Sequence, residues 1–267
     1  MRLYHASNSI IEKPDVLHSR DKLDFGKGFY LTTIREQAVR YAERKPIMVF
    51  MHGIALTSNM RSKLDLLSER FSVFTIENVE EHYQYIFQED SYKEIILFYD
   101  ALLQTYLPEN AQVFAFGGVS WGGGLAYSMA SMWHDRTGQL PMVVMADTLL
   151  NADAAFNMAL ISGTLDSFCA KRHIPREVFN ESFVKRATIV AMIEQRGKVM
   201  PHYEGPVILM NALQVRGGIS DANVALWKQL ASNLPVVDYD TTHDVLCVDA
   251  AWALAFCQHL FDALIRV

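Results

Sequence analysis

Residues 116–126, FGGVSWGGGLA, set the tightest constraint on how this chain can fold. Five glycines surround Ser120 where an apolar run, AQVFAF (111–116), gives way to LAYSMASMW, which has the spacing of a buried helix. So many glycines in one strand-to-helix junction point to a turn too sharp for side chains, or to a phosphate cradle. The cradle fits poorly. The segment has no G-K-[ST], is not G-x-G-x-x-G, and no acidic residue stands at a second strand end to hold a ribose. Gly118–Gly122 instead fits G-x-S-x-G, the turn that exposes a nucleophilic serine between a strand and a helix. A glycine-rich turn without chemistry is the competing reading.

The flanking sequence fits that turn into a layered α/β architecture. Strands are expected at 47–51, 72–76, 111–116, 142–146, 206–210 and 235–239, and helices at about 91–107, 121–134, 222–232 and 249–265. Ile95, Ile96, Phe98, Ala101, Leu102 and the Met129/Trp133 pair have core-facing helical spacing. Alternating strands and helices predict an α/β fold with a mainly parallel sheet flanked by helices. Between 150 and 204 the alternation stops and helical segments follow one another, as in an inserted lid. Charge divides the chain near Pro46: residues 1–45 carry nine Lys and Arg against six Asp and Glu, while the remainder carries 15 against 24. The expectation is an N-terminal appendage over 1–45 and one main domain over 46–267.

Composition narrows the function classes. The 267-residue chain is 51% hydrophobic with a net charge of −6, so it can bury a full core and is unsuited to nucleic acid as its main partner. Cys169, Cys247 and Cys257 are odd in number and lack CxxC spacing, which argues against a metal site and for a reducing compartment. The start, MRLYHASNSI, has no apolar signal core, and no apolar run is long enough to span a bilayer. A cytoplasmic protein with no membrane contact, metal or cofactor is the expectation.

A serine hydroxyl needs a base to take its proton and an acid to orient that base. His173, His202, His243 and His259 follow Ser120 far enough along the chain to close the sheet. His173 and His202 fall in the lid and His259 inside the last expected helix. His243, in DYDTTHDVL, falls between the last strand and that helix, at the sheet edge that carries Ser120, and is the base by this reading. Three carboxylates compete for the acid. Asp147 ends the strand after the elbow helix, in MVVMADTLL; Asp221 follows the next strand and resembles a helix N-cap; Asp244 adjoins the histidine and would point away from it. Asp147 is favoured over Asp221, because a strand end fixes its position. The developing oxyanion needs two N–H donors. Trp121, which follows the serine, supplies one, and Ile54, after His52-Gly53 at the end of the first core strand, supplies the other.

With these residues in place, 47–265 resembles the thioesterase domains of non-ribosomal peptide and polyketide synthases and their free-standing type II relatives. GVSWGGGLAYSMA is similar to that family's G-x-S-x-G-G-x-x-A elbow, and VVMADT carries an aspartate 27 residues after the serine. MPHYEGPVILMNA resembles the stretch leading out of the family's lid, and TTHDVL its G-x-H-x-x-L. The resemblance implies an α/β-hydrolase fold, a Ser120–Asp147–His243 triad, and an oxyanion hole from Ile54 and Trp121. HGIALTS lacks the paired glycines usual in the first oxyanion loop. Residues 1–44 resemble the start of a bacterial family distantly related to ADP-ribosyltransferases, in which residues like His5 and Tyr30 hold the nicotinamide ribose and ring. The later glutamate of that fold is missing, so this head reads as a fused remnant or docking appendage.

Residues 161–203 hold seven Lys and Arg against four Asp and Glu in an otherwise acidic chain. This is either a solvated helix face or a surface that meets an acidic acyl or peptidyl carrier protein. Phe168, Phe179, Phe183, Ile189, Met192 and Ile193 either line an acyl channel or pack the lid itself. The leading expectation is a serine hydrolase cleaving acyl thioesters carried on phosphopantetheine. A carboxylesterase for small esters and an inactive hydrolase-like binding module are the alternatives.

Overall fold

The computed structural model describes residues 45–53, 64–76, 91–108, 110–150, 162–163, 165–173, 175–179, 181, 184–185, 187–188, 200–214, 219–231, 234–241, 246 and 258. The chain divides between Lys45 and Pro46 into two units, and every described residue except Lys45 belongs to the second.

Among the described residues six strands form one sheet: β1 (Ile47–Met51), β2 (Ser72–Ile76), β3 (Val113–Val119), β4 (Met142–Ala146), β5 (Val207–Ala212) and β6 (Val236–Tyr239). Their order is β2-β1-β3-β4-β5-β6, and all five pairings are parallel. A parallel sheet is covered on both faces, so its central strands are apolar throughout rather than alternating. β4 is buried at every position.

Successive side chains go to opposite faces. Val49, Met51, Phe116, Val143, Met145 and Leu209 join one core cluster; Met48, Phe50, Ala115, Val144, Ala146 and Met210 join the other. The first cluster also takes residues from α1 (Ser91–Tyr106), α2 (Trp121–Thr137) and α4 (Ile219–Leu230), among them Tyr99, Leu125 and Trp227. The second takes Leu67, Phe71 and Leu246.

Several expectations shift, among them β5, which runs to Ala212 rather than residue 210, and α4, which begins at Ile219 rather than 222. β3 runs three residues past Phe116, because Gly117 and Gly118 pair with β1 on one side and β4 on the other. A ladder on both sides holds glycines that would weaken an edge strand. In α1 the buried stripe is Tyr92, Ile95, Ile96, Tyr99 and Leu103, whereas Phe98 is 37% exposed and Ala101 faces outward. The helix is rotated from the expected face by Tyr92 and Tyr99, whose buried rings cover more area than Ala101 can. Tyr92 also donates to the Gly124 carbonyl of α2 (2.9 Å) and meets the Ser128 hydroxyl at 2.9 Å.

In the expected lid, α3 (Leu165–Arg172) and a single 3₁₀ turn (Arg176–Val178) are described. Leu165, Cys169 and Ala187 form a small core of their own, with Phe179 packed against it, so Phe179 serves the packing of this segment. Phe168, Phe183, Ile189, Met192 and Ile193 lie outside the residues whose side chains are described.

The chain returns to β5 through PHYEGPV, where Tyr203 is buried and donates to the Pro141 carbonyl at 2.5 Å. A Cβ on Gly205 would strike the Tyr203 ring, which accounts for the glycine two residues later. Tyr203 packs edge-on against Tyr127, which donates to the Leu230 carbonyl at 2.9 Å and meets the Trp227 ring at 5.1 Å. This motif anchors the end of the inserted segment to α2 and α4.

Burial pushes the Tyr127 phenol from 10.0 up to about 12, with the backbone bond to Tyr203 opposing, and pushes Tyr203 up as well. The folded chain thus retains protons that the unfolded chain releases. Their contribution is fully present below pH 10.0 and is lost as pH rises through about 12. Urea midpoints measured at rising pH should stay level up to about pH 10 and then fall, less steeply in Tyr127→Phe. Tyrosinate absorbance that rises fully while the fold persists would contradict this.

Candidate active site

Strand order locates the crevice. β1 connects to β2 on one side and β3 to β4 on the other, so the chain leaves adjacent carboxyl ends in opposite directions. Open parallel sheets bind ligands at such a switch point. Here it is flanked by His52-Gly53 after β1 and Ser120 after β3.

Ser120 has φ 52° and ψ −125°, a backbone conformation that costs an L-residue about 1–3 kcal/mol. It is held from both sides. Its N–H donates to the Ala146 carbonyl (2.8 Å), carrying the β3–β4 ladder one step past the strand, and its carbonyl accepts from Gly123 N–H (3.0 Å). The glycines make the reversal possible. A Cβ on Gly118 would strike the backbone of Gly122 and Gly123; one on Gly122 would strike the Met51 and His52 carbonyls; one on Gly123 would strike the Thr148 side chain. Serines at helix N-caps ordinarily accept from the first turn. Ser120 makes no such bond and is half-buried, so α2 does not engage its hydroxyl.

Asp147 comes directly after β4 and is buried, with φ 41°. Its N–H donates to the Met210 carbonyl (2.7 Å) and its Oδ1 accepts from Ala212 N–H (3.2 Å). Val119 pairs with Ala146, so Ser120 and Asp147 leave neighbouring strands at one level. Asp221 differs. It is exposed in the first turn of α4, which begins at Ile219, so it is not an N-cap. A carboxylate there interacts favourably with the helix dipole. Asn211 donates to Asp238 Oδ1 at 2.8 Å across β5 and β6.

Trp121 opens α2 with a buried side chain, edge-on to Tyr92 at 5.7 Å. Its backbone N–H belongs to the group that projects from a helix N-terminus. His52 is fully buried, and its Nδ1 donates to the Gly53 carbonyl (2.8 Å); a carbonyl only accepts, so Nδ1 carries the proton. Ile54, His243 and Asp244 lie outside the described residues, as do His5 and Tyr30. Thr241, two residues before His243, is buried and accepts from Gln214 N–H at 2.9 Å.

Sequence reasoning missed the side chains that hold the segment after Asp147. Asn223 and Trp227 of α4 both bond the Thr148 carbonyl, at 3.0 and 2.8 Å. The available signal was their spacing of four on an amphipathic helix, which marks one face without naming its target.

The structure is similar to solved thioesterase domains. The NocB thioesterase domain, in covalent complex with a fluorophosphonate nocardicin G analogue, aligns over 84% of this chain and 96% of its own at 17% identity, with a TM-score of 0.61. The Vlm2 thioesterase domain, carrying genetically encoded 2,3-diaminopropionic acid and bound with a dodecadepsipeptide, aligns over 82% and 94% at 17% identity, with a TM-score of 0.60. The RedJ thioesterase of the prodiginine pathway of Streptomyces coelicolor aligns over 82% and 91% at 17% identity, with a TM-score of 0.59. This is an α/β-hydrolase fold.

By sequence, residues 1–106 match a family described as a protein of unknown function, DUF3990. That match runs past the expected limit near residue 44, through β1, β2 and α1 of the α/β-hydrolase unit. No curated protein matches the sequence. Among the described residues no group of three or more His, Cys, Asp and Glu is placed to hold a metal, and no helix is long and apolar enough to cross a membrane.

The elbow makes a sharp distinction between two glycines of the crevice. Gly122→Ala drives a Cβ into carbonyls of β1 that cannot move aside, and should lower stability by about 1–3 kcal/mol or more. Gly53→Ala meets its nearest atom at 3.5 Å and should stay within about 0.5 kcal/mol of the parent. Urea midpoints compare them, and equal losses would contradict the packing described.

Proposed function

We propose that the protein is a serine hydrolase that cleaves acyl thioesters through an acyl-enzyme, with Ser120 as nucleophile, His243 as base and Asp147 as acid. The observation that carries this reading is the strained Ser120 turn at the switch point, one strand from the buried Asp147. Ser120 Oγ attacks the thioester carbonyl carbon while His243 takes the hydroxyl proton. The carbonyl oxygen becomes an oxyanion, met by the N–H groups of Trp121 and Ile54. Collapse breaks the C–S bond, and His243 returns the proton to the departing thiolate. Water, deprotonated by His243, then attacks the acyl-enzyme, releasing the carboxylic acid and restoring Ser120. Asp147 accepts from the imidazole Nδ1–H and stabilises the imidazolium.

The thioester substrate is carried over from the structural relatives, which are thioesterases or thioesterase domains. An acyl or peptidyl carrier protein as donor fits the basic balance of residues 161–203. The test compares an acyl-pantetheine thioester with its matched oxygen ester. The thioester should turn over faster, and Ser120→Ala should remove hydrolysis of both. Faster oxygen-ester cleavage would favour a carboxylesterase, and no turnover of either would favour a binding module. On the same thioester Asp147→Asn should lose up to about 10⁴ in kcat, while exposed Asp221→Asn stays near the parent. The opposite ranking would move the acid to Asp221.

Residues 1–45 are outside this machinery, and we assign them to a fused appendage of the ADP-ribosyltransferase-like kind. A chain beginning at Pro46 should keep thioester hydrolysis. Insoluble or inactive protein would instead join the head to the core, as the extent of the family match to residue 106 would then require.

A further inference from the structure

We propose that Asn223 is a positioning residue for Asp147, setting the angle of the acid by clamping the backbone that follows it. The proposal rests on the triad reading given above. Asp147 sits at φ 41°, where an L-residue stays only if the chain on both sides is fixed. Upstream, β5 supplies the fixing: Asp147 N–H bonds Met210 and Ala212 N–H bonds Oδ1. Downstream, the described residues 148–150 form no strand, and the Thr148 carbonyl is taken by α4. Asn223 Nδ2 donates to it at 3.0 Å and Trp227 Nε1 at 2.8 Å. Asn223 Oδ1 also accepts from Leu150 N–H at 2.9 Å.

One amide therefore bridges a carbonyl and an N–H two residues apart, using its donor on one and its acceptor on the other. Both sites being backbone, the amide has a single productive orientation. Asn223 is 5% exposed and Thr148 and Trp227 are fully buried, so water does not substitute for these bonds. The clamp also reaches the nucleophile. A Cβ on Gly123, in the first turn of the elbow helix, would strike the Thr148 side chain, so the clamped residue lies in direct contact with α2. Displacement of Thr148 is thus transmitted both to the acid and to the helix that begins directly after Ser120.

The test is a double-mutant cycle on a short acyl thioester. Asn223→Ala should lower kcat about tenfold to a hundredfold, as expected for a misplaced group, with KM nearly unchanged. In the Asp147→Asn background the same change should cost little further, because the angle of a removed acid no longer matters. The pH profile of kcat/KM should show the base titrating lower in Asn223→Ala, as it should in Asp147→Asn. A purely structural residue would not produce that shift. Trp227→Phe keeps the bulk, removes one of the two donors to Thr148, and should show a smaller kcat loss with the same non-additivity. It decides the matter if Asn223→Ala does not fold. An equal fold loss in both backgrounds, or parent kcat in these variants beside a crippled Asp147→Asn, overturns the proposal. Parent kcat in Asp147→Asn itself would instead overturn the triad reading.

Discussion

The structure depends on a backbone contact. Helix α2 begins so close to the ends of β1 and β3 that Gly122 lies against the carbonyls of Met51 and His52, and Gly118 against Gly122 itself. No side chain fits between them. This contact forces the chain to reverse within one residue and puts Ser120 at the apex with φ 52°. It also aims the N-terminus of α2 at the crevice left by the diverging β1 and β3 connections. The strain at Ser120 persists because the β3–β4 ladder and the first turn of α2 both grip its backbone.

The Asp147 side of the crevice is built on a second principle. Asp147 also has a positive φ, but it is fixed by hydrogen bonds rather than by steric exclusion. β5 engages its N–H and one carboxylate oxygen, and α4 engages the residues after it. The two assemblies meet where Thr148 packs on Gly123. Ser120 and Asp147, the nucleophile and acid we propose, are thereby held by one continuous set of contacts, although they come from different strands.

Much of this was legible in the sequence because the constraints are local. Glycines two residues either side of a serine, after an apolar run and before a helical pattern, define the turn by steric need alone. β1, β2 and β4 were readable for a similar reason: short β-branched and apolar runs bounded by breaks have few other solutions. What escaped was tertiary in origin. The extension of β3 through Gly117 and Gly118 requires partners on both sides, which no local pattern announces. The rotation of α1 depends on where two tyrosine rings and the Tyr92 hydroxyl find room, and the bond made by Asn223 depends on a carbonyl 75 positions away. Asp221 read as a cap because Asp favours that position, yet α4 starts two residues earlier.

The central claim is that the strained serine is a chemically competent nucleophile. Intact-mass measurement after incubation with a fluorophosphonate, followed by peptide mapping, tests it most directly; the NocB domain forms such a covalent complex. The account predicts one adduct per chain, on the peptide carrying Ser120 and absent from Ser120→Ala. An unmodified chain under conditions that label a known serine hydrolase, or an adduct that persists in Ser120→Ala, would contradict it.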